Sequence, residues 1–67
     1  MNQLEVDKFE NQISPHTVWL VRRLIRTDQA KPGLIIFIEK VLDVPREEAL
    51  RFFKKYKEYV NAQPATT

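Results

Sequence analysis

The side chains that could carry catalysis are few and stand apart in the sequence. Cysteine is absent, so the chain has no thiolate nucleophile and no thiolate metal ligand. The single histidine, His16, has no orienting partner nearby, and Ser14 stands where it would cap a helix. The carboxylates occur singly or at helical ion-pair spacing, and an isolated Gly33 does not make a phosphate-binding loop. We therefore expect no enzymatic activity, no metal or other cofactor, and no small-molecule substrate.

A tryptophan among arginines is the strongest candidate for a binding residue. At about 100° per residue, the helix around it has a core face of five apolar residues: Val18, Leu20, Val21, Leu24 and Ile25. Trp19 points the other way. Its neighbours on that face are basic: His16, Arg22, Arg23 and Arg26. Three interpretations remain open: the N-terminal segment covers Trp19, Trp19 anchors a protein partner as a hot spot, or it stacks on nucleic acid.

The N-terminal segment, residues 1–13, has the charge to cover this basic face. Its net charge is −2, whereas residues 15–67 carry a net charge of +4. Three acids are available to pair with the arginines: Glu5, Asp7 and Glu10. If they do so, the acidic segment is a built-in cover for Arg22, Arg23 and Arg26.

A second candidate surface lies near the C-terminus. Residues 35–56 resemble the outline of a helix-turn-helix, in which the second helix enters the major groove of DNA. The sequence departs from that pattern where Glu39 replaces a small residue and Asp43 replaces the glycine of the turn. The alternative function is therefore a DNA-binding regulator with residues 45–57 as recognition helix. Its contacts would be basic side chains: Arg46, Arg51, Lys54 and Lys55.

A third signal is a surplus of apolar side chains. Ile36 lies outside the apolar face of its segment, and Leu50 lies off the core face of the last helix. Because soluble monomers rarely expose large apolar areas, such residues indicate a contact surface. We therefore predict a small interaction module (an adaptor, inhibitor or regulatory subunit) that binds a protein partner or forms a homodimer. The predicted contacts are Trp19, Arg22, Arg23, Arg26, Ile36 and Leu50.

Turn-forming residues divide the chain into the helices that position these side chains. Ser14 and Pro15 are typical of an N-cap and a first helical position, and that helix should end near Arg26. The segment from Asp28 to Gly33 is a predicted loop. The last helix should be capped by Asp43 and bury one face: Ala49, Phe52, Phe53, Tyr56, Tyr59 and Val60.

The apolar segment 34–42 is compatible with a strand as well as a helix, because it is rich in β-branched residues. A single strand in so short a chain has no partner for its backbone groups, so we predict a buried helix. The expected fold is all-α: a three-helix bundle with a helical hairpin, 34–61, at its centre. Residues 14–61 form the domain and residues 62–67 a disordered tail. Residues 1–13 are either an arm or a fourth short helix, with Leu4, Phe9 and Ile13 on one face.

Length and composition limit the remaining possibilities. Sixty-seven residues allow one domain with a thin stability margin, and a content of 43% hydrophobic and 30% charged residues is that of a globular protein. No secretory signal is visible, and the longest apolar run falls far short of the ~20 residues of a membrane span. We expect a cytoplasmic, membrane-free protein. Without disulfides or a metal, self-association is the remaining way to stabilise its small core.

Overall fold

The computed structural model describes residues 1–29 and 32–63, which form four α-helices. They are α1 (Gln3–Glu10), α2 (Pro15–Arg26), α3 (Pro32–Leu42) and α4 (Arg46–Ala62). No strand occurs in the described part of the chain, so the all-α prediction is confirmed and the ambiguous segment 34–42 is helical. The N-terminal segment forms the fourth, short helix. The predicted tail was residues 62–67, but Ala62 is the last residue of α4. Residues 64–67 of that tail lie outside the described residues.

Two helix starts follow from local chemistry. The Ser14 hydroxyl accepts a hydrogen bond from the Thr17 backbone N–H at 3.2 Å, with Pro15 in the first turn, as predicted. Helix α3 begins at Pro32, so Pro32 and Gly33 are helical rather than part of the predicted loop. Proline is tolerated there because a helix leaves its first N–H groups without intrahelical partners.

Aspartates end both α2 and α3. Asp28 and Asp43 adopt left-handed conformations, with φ of 56° and 55°. At the end of α3 the Val44 N–H donates to the Glu39 carbonyl at 3.2 Å, the long bond of a Schellman motif. A side chain in this region costs energy that glycine avoids, although aspartate tolerates it better than most residues.

The prediction that Asp43 caps α4 is therefore wrong. Asp43 closes the preceding helix, and Pro45 occupies the N-cap position of α4 without a side-chain hydrogen bond. The helix start is instead favoured by Glu47 and Glu48, whose charges complement the positive end of the helix dipole. Glu47 also lies 3.7 Å from Arg51, the expected i,i+4 pair.

The core draws on all four helices. Its buried members are Val6, Phe9, Val21, Ile25, Leu34, Ile38, Ala49, Tyr56 and Val60. Helices α3 and α4 pack most extensively, as the hairpin prediction required, while α2 lies on α4 and α1 on α3. Phe9 of α1 is fully buried, with its ring 5.3 Å from those of Phe52 and Tyr56. Helix α1 is thus part of the core.

Leu4, which was predicted to share a face with Phe9, and Leu20, which was predicted to face the core, are both exposed. Leu4 is 78% exposed because α1 turns Val6 and Phe9 inward, which places Leu4 on the opposite side of the helix. Leu20 is 44% exposed because the buried face of α2 is rotated toward Arg22. None of the helices formed by the described residues combines the length and hydropathy that a membrane-crossing segment needs.

Candidate functional site

Trp19 lies on the outward face of α2 with 45% of its surface exposed. The His16 ring stacks beside it at a centroid distance of 6.0 Å and an interplanar angle of 22°. On the other side, the Arg23 guanidinium lies 5.3 Å from the centre of the indole. Leu20 is exposed to the same extent on the adjoining part of the helix. We call His16, Trp19, Leu20 and Arg23 the Trp19 surface.

The spacing of these residues explains the arrangement. His16 precedes Trp19 by three positions and Arg23 follows it by four, and both spacings place side chains next to each other on a helix. The contact with Arg23 is a cation–π interaction, worth about 0.5–1 kcal/mol at an exposed site. An indole held from both sides has less conformational freedom to lose on binding, which favours association.

The Trp19 surface is basic as well as apolar. Helix α2 contains no acidic residue, and within residues 1–29 and 32–63 no carboxylate lies within ion-pair distance of Arg23 or Arg26. The N-terminal segment does not cover the indole, so that interpretation of Trp19 is wrong. Of its three acids, Glu10 alone reaches an arginine of α2.

Arg22 is engaged inside the fold rather than on the Trp19 surface. Its Nε and Nη2 atoms donate to the two carboxylate oxygens of Glu10, each at 2.8 Å. The Tyr56 hydroxyl donates to the same carboxylate. The guanidinium also lies 5.9 Å from the ring centre of Tyr59, whose hydroxyl donates to Gln3 at 3.0 Å. This polar network ties α1, α2 and α4 together.

The network shifts the protonation equilibria of its members. Burial, followed by the hydrogen bond to the Glu10 carboxylate, raises the pKa of Tyr56 well above its ordinary value. The hydrogen bond from Arg22 to Glu10 raises the pKa of that guanidinium. Tyr56 therefore stays a neutral hydrogen-bond donor and Arg22 a cation across the physiological range, which is a structural role.

The other predicted contacts lie on other helices. Ile36 and Leu50 are exposed on α3 and α4, each on a different helix from Trp19. Of the basic residues predicted to contact DNA, Arg46 lies 3.3 Å from Glu39, and Arg51 is in the i,i+4 pair described above. Lys54 and Lys55 are exposed.

A groove of about 350 Å³ lies between the start of α1, the turn before α4 and the first half of α4. Its lining mixes apolar and charged side chains: Met1, Glu5, Lys8, Leu42, Val44, Glu48, Arg51, Phe52 and Lys55. Its volume is near the lower end of ligand sites, and its lining contains both acids and bases. The Trp19 surface lies outside it. No group of three potential metal ligands gathers within the described residues.

Sequence analysis missed one member of the Trp19 surface. Leu20 was assigned to the core, because the 100° periodicity alone does not give the rotation of a helix about its axis. His16 was predicted among the basic neighbours of Trp19, and its ring lies there in the structure.

Comparison of the chain with known protein families, with curated proteins and with solved structures finds no match. The function is therefore inferred from the residues and their geometry.

Proposed function

We propose that the chain is a small non-enzymatic interaction module that associates with a second copy of itself through the Trp19 surface. The main support is a half-exposed indole held between His16 and Arg23, next to an exposed leucine, Leu20. Tryptophan and arginine are, with tyrosine, the residues enriched among binding hot spots. Adaptors, inhibitors and regulatory subunits all work through surfaces of this kind.

The small size of the domain supports self-association. Among residues 1–29 and 32–63, nine apolar residues are buried in the core and six large apolar residues are exposed, including Leu4, Trp19, Leu20, Ile36 and Leu50. Association would remove part of that apolar surface from water and stabilise the folded chain by mass action. Ile36 and Leu50 would then be contacts at the edge of the interface.

The test is the mass of the chain in solution over a wide range of concentrations, measured by sedimentation velocity and light scattering. We expect a concentration-dependent dimer and expect Trp19→Ala to weaken it by about tenfold or more, as for a hot spot worth about 2 kcal/mol. Ile36→Ala is the matched control, since it removes an apolar side chain of equal exposure from α3. We expect it to weaken the dimer less than Trp19→Ala does.

Two results would contradict the proposal. A wild-type chain that stays monomeric at every concentration would exclude self-association. If Trp19→Ala leaves the dimer intact but lowers the melting temperature, Trp19 stabilises the fold and does not form the interface.

DNA binding by α4 is the second candidate function. It is supported by Lys54 and Lys55, which are exposed and have no ion-pair partner among the described residues. The support is weaker, because Arg46 and Arg51 are already paired with carboxylates of the chain itself. The acidic first turn of α4 would also lie against phosphates if that helix end entered a DNA groove.

A further inference from the structure

The ion pair between Glu39 and Arg46 fixes how α3 and α4 lie against each other. These helices pack on each other extensively, and only residues 43–45 connect them, so they run antiparallel. Near the turn, Arg46 Nε lies 3.3 Å from the Glu39 carboxylate. At the other end of the hairpin, Lys57 of α4 lies 3.8 Å from Asp28, which precedes α3. The two ion pairs therefore set the register of the hairpin.

This register places two exposed apolar residues side by side. Ile36 precedes Glu39 by three residues and Leu50 follows Arg46 by four, so both lie about one helical turn from the ion pair, on its side away from the turn. By helix rotation Ile36 lies about 60° outward of Glu39, and Leu50 lies about 40° outward of Arg46. Their side chains are 43% and 49% exposed. The outer face of the hairpin thus carries an apolar strip.

A lysine borders this strip on each helix. Lys40 follows Ile36, and Lys54 follows Leu50, each by four residues and about 40° further outward. Both lysines are exposed, and in the described part of the chain neither has a carboxylate within ion-pair distance. Because the helices are antiparallel, the lysines lie at opposite ends and on opposite edges of the strip. We call Ile36, Lys40, Leu50 and Lys54 the hairpin patch.

The charge pattern of the hairpin patch favours one kind of partner. A second copy of the patch would place lysines against a surface of the same charge, and a nucleic acid would meet apolar side chains along the middle. An amphipathic helix with acidic residues beside its apolar stripe complements both parts. Its stripe would lie along the seam between α3 and α4, as in helix-in-groove recognition, and its acids would meet the lysines.

The positions of the lysines also give the spacing of those acids. Lys40 adjoins Glu39 at the ion pair, and Lys54 lies eight residues beyond Arg46. At a rise of about 1.5 Å per residue, the lysines are about 12 Å apart along the hairpin. That distance corresponds to about two turns of a bound helix.

We propose that the hairpin patch binds an amphipathic α-helix of another protein, with acidic residues about two turns apart on its flanks. This inference goes beyond the self-association proposed above and uses a different surface. Residues at the rim of an interface stay accessible to solvent, so Ile36 and Leu50 remain available at the edge of the dimer. Helix α3 has 11 residues, which gives a contact only about 16 Å long. We therefore expect a dissociation constant in the micromolar range.

The probe is a synthetic helical peptide of about 18 residues with leucines at i, i+3, i+4 and i+7 spacing and glutamates on both flanks. Fluorescence anisotropy of the labelled peptide measures its affinity for the full chain. We expect Ile36→Ser and Leu50→Ser each to weaken binding about tenfold. Lys40→Glu/Lys54→Glu should weaken it by at least as much. Lys55→Glu is the matched control, since Lys55 lines the groove on the other side of α4, and it should leave the affinity unchanged.

Two further measurements locate the contact. A peptide with lysines in place of the glutamates should bind Lys40→Glu/Lys54→Glu and not the wild type, because the charges of both partners are then reversed. In heteronuclear NMR spectra of the wild type, the acidic peptide should shift the signals of the hairpin patch and leave the Trp19 indole signal in place. Circular dichroism establishes that each variant folds.

Three results would overturn this inference. The first is a wild-type chain that does not bind the acidic peptide. The second is binding that shifts the Trp19 indole signal and not the hairpin patch, which would assign the peptide to the Trp19 surface. The third is binding to vesicles containing phosphatidylserine, lost in Ile36→Ser, without binding to the peptide, which would make the patch a membrane contact.

The proposed function is tested separately. A chain that dimerises through Trp19 but ignores the peptide would retain the proposed function and contradict only the hairpin patch. Conversely, a monomeric chain that binds the peptide through Ile36 and Leu50 would retain the patch alone. Trp19→Ala should bind the peptide with unchanged affinity.

Discussion

Glu10 and Arg22 are joined by two hydrogen bonds of 2.8 Å, and this bidentate pair connects α1 to α2 where both helices meet α4. Its side chains are 11% and 25% exposed, whereas those of the pair between Glu39 and Arg46 are 25% and 66% exposed. Shielding from water strengthens a charge pair and raises the cost of leaving one partner alone.

We therefore expect Glu10→Gln to lower the free energy of unfolding by about 1–3 kcal/mol, because Arg22 loses its charged partner while Tyr56 loses a charged acceptor. Urea unfolding monitored by circular dichroism measures the change. The matched control, Glu39→Gln, removes the more exposed pair and should cost at most about 1 kcal/mol. Equal effects of the two substitutions would show that the Glu10 network contributes no more than a surface pair.

Tyr56 makes the free energy of unfolding depend on pH in the alkaline range. In the unfolded chain its hydroxyl ionises near its ordinary pKa of 10.0, whereas burial and the Glu10 carboxylate raise the pKa in the folded chain. The folded state therefore holds this proton more tightly, so its contribution is fully present below pH 10.0 and is lost as the pH rises above it.

We expect the free energy of unfolding to fall with rising pH above about 10 in the wild type, and to fall less steeply in Tyr56→Phe. Denaturant titrations at a series of alkaline pH values measure both slopes. Tyr59→Phe is the control, since that hydroxyl bonds to the neutral Gln3. Identical slopes for the wild type and Tyr56→Phe would exclude Tyr56 as the source.

Trp19 reports directly on the surface that we propose for binding. In the dilute monomer its half-exposed indole should be quenched efficiently by iodide, which the neighbouring Arg23 attracts. Arg23→Gln should lower the quenching constant, and Arg46→Gln, a remote charge change, should not.

At concentrations where the chain dimerises, quenching should weaken and the emission maximum should shift to the blue. Weak quenching at every concentration would indicate that Trp19 is covered within a single chain.

The helices could be predicted from the sequence because each is specified locally. Ser14 and Pro15 mark the start of α2 by their own side-chain chemistry, and the apolar periodicity of α4 identifies its buried face. The orientation of α2 depends on the pair that links Glu10 to Arg22, twelve residues apart, which periodicity does not show. Periodicity placed Trp19 correctly on the outward face. Leu20 was assigned to the core because the rotation of α2 about its axis could not be predicted.

The left-handed aspartates show a second limit of sequence analysis. Glycine is the usual residue at the end of a helix, so Asp43 was assigned to the start of α4 instead. In the structure it has a φ of 55° and closes α3.

We expect Asp43→Gly to raise the free energy of unfolding by up to about 1 kcal/mol, because glycine adopts this conformation without steric cost. Asp43→Ala should lower it. Thermal unfolding of the three proteins gives the order, and a Gly variant less stable than wild type would indicate that the Asp43 side chain makes a stabilising contact.

Binding to generic duplex DNA distinguishes the two candidate functions. Phosphate contacts by Lys54 and Lys55 would release counterions, so any affinity should fall steeply between low and moderate salt. We expect the protein not to shift duplex DNA in a gel even at low salt. The first turn of α4 carries the acids Glu47 and Glu48. The two arginines of α4, Arg46 and Arg51, are each paired with a carboxylate and do not add to the charge of Lys54 and Lys55. The informative variant is Glu47→Gln/Glu48→Gln, which removes two negative charges from that helix end. A salt-sensitive shift by the wild type that Lys54→Ala/Lys55→Ala abolishes would favour DNA binding over self-association. Self-association carried by Trp19 and Leu20 should not weaken as salt rises, because burial of apolar surface does not depend on the release of counterions and salt screens the repulsion between two basic surfaces.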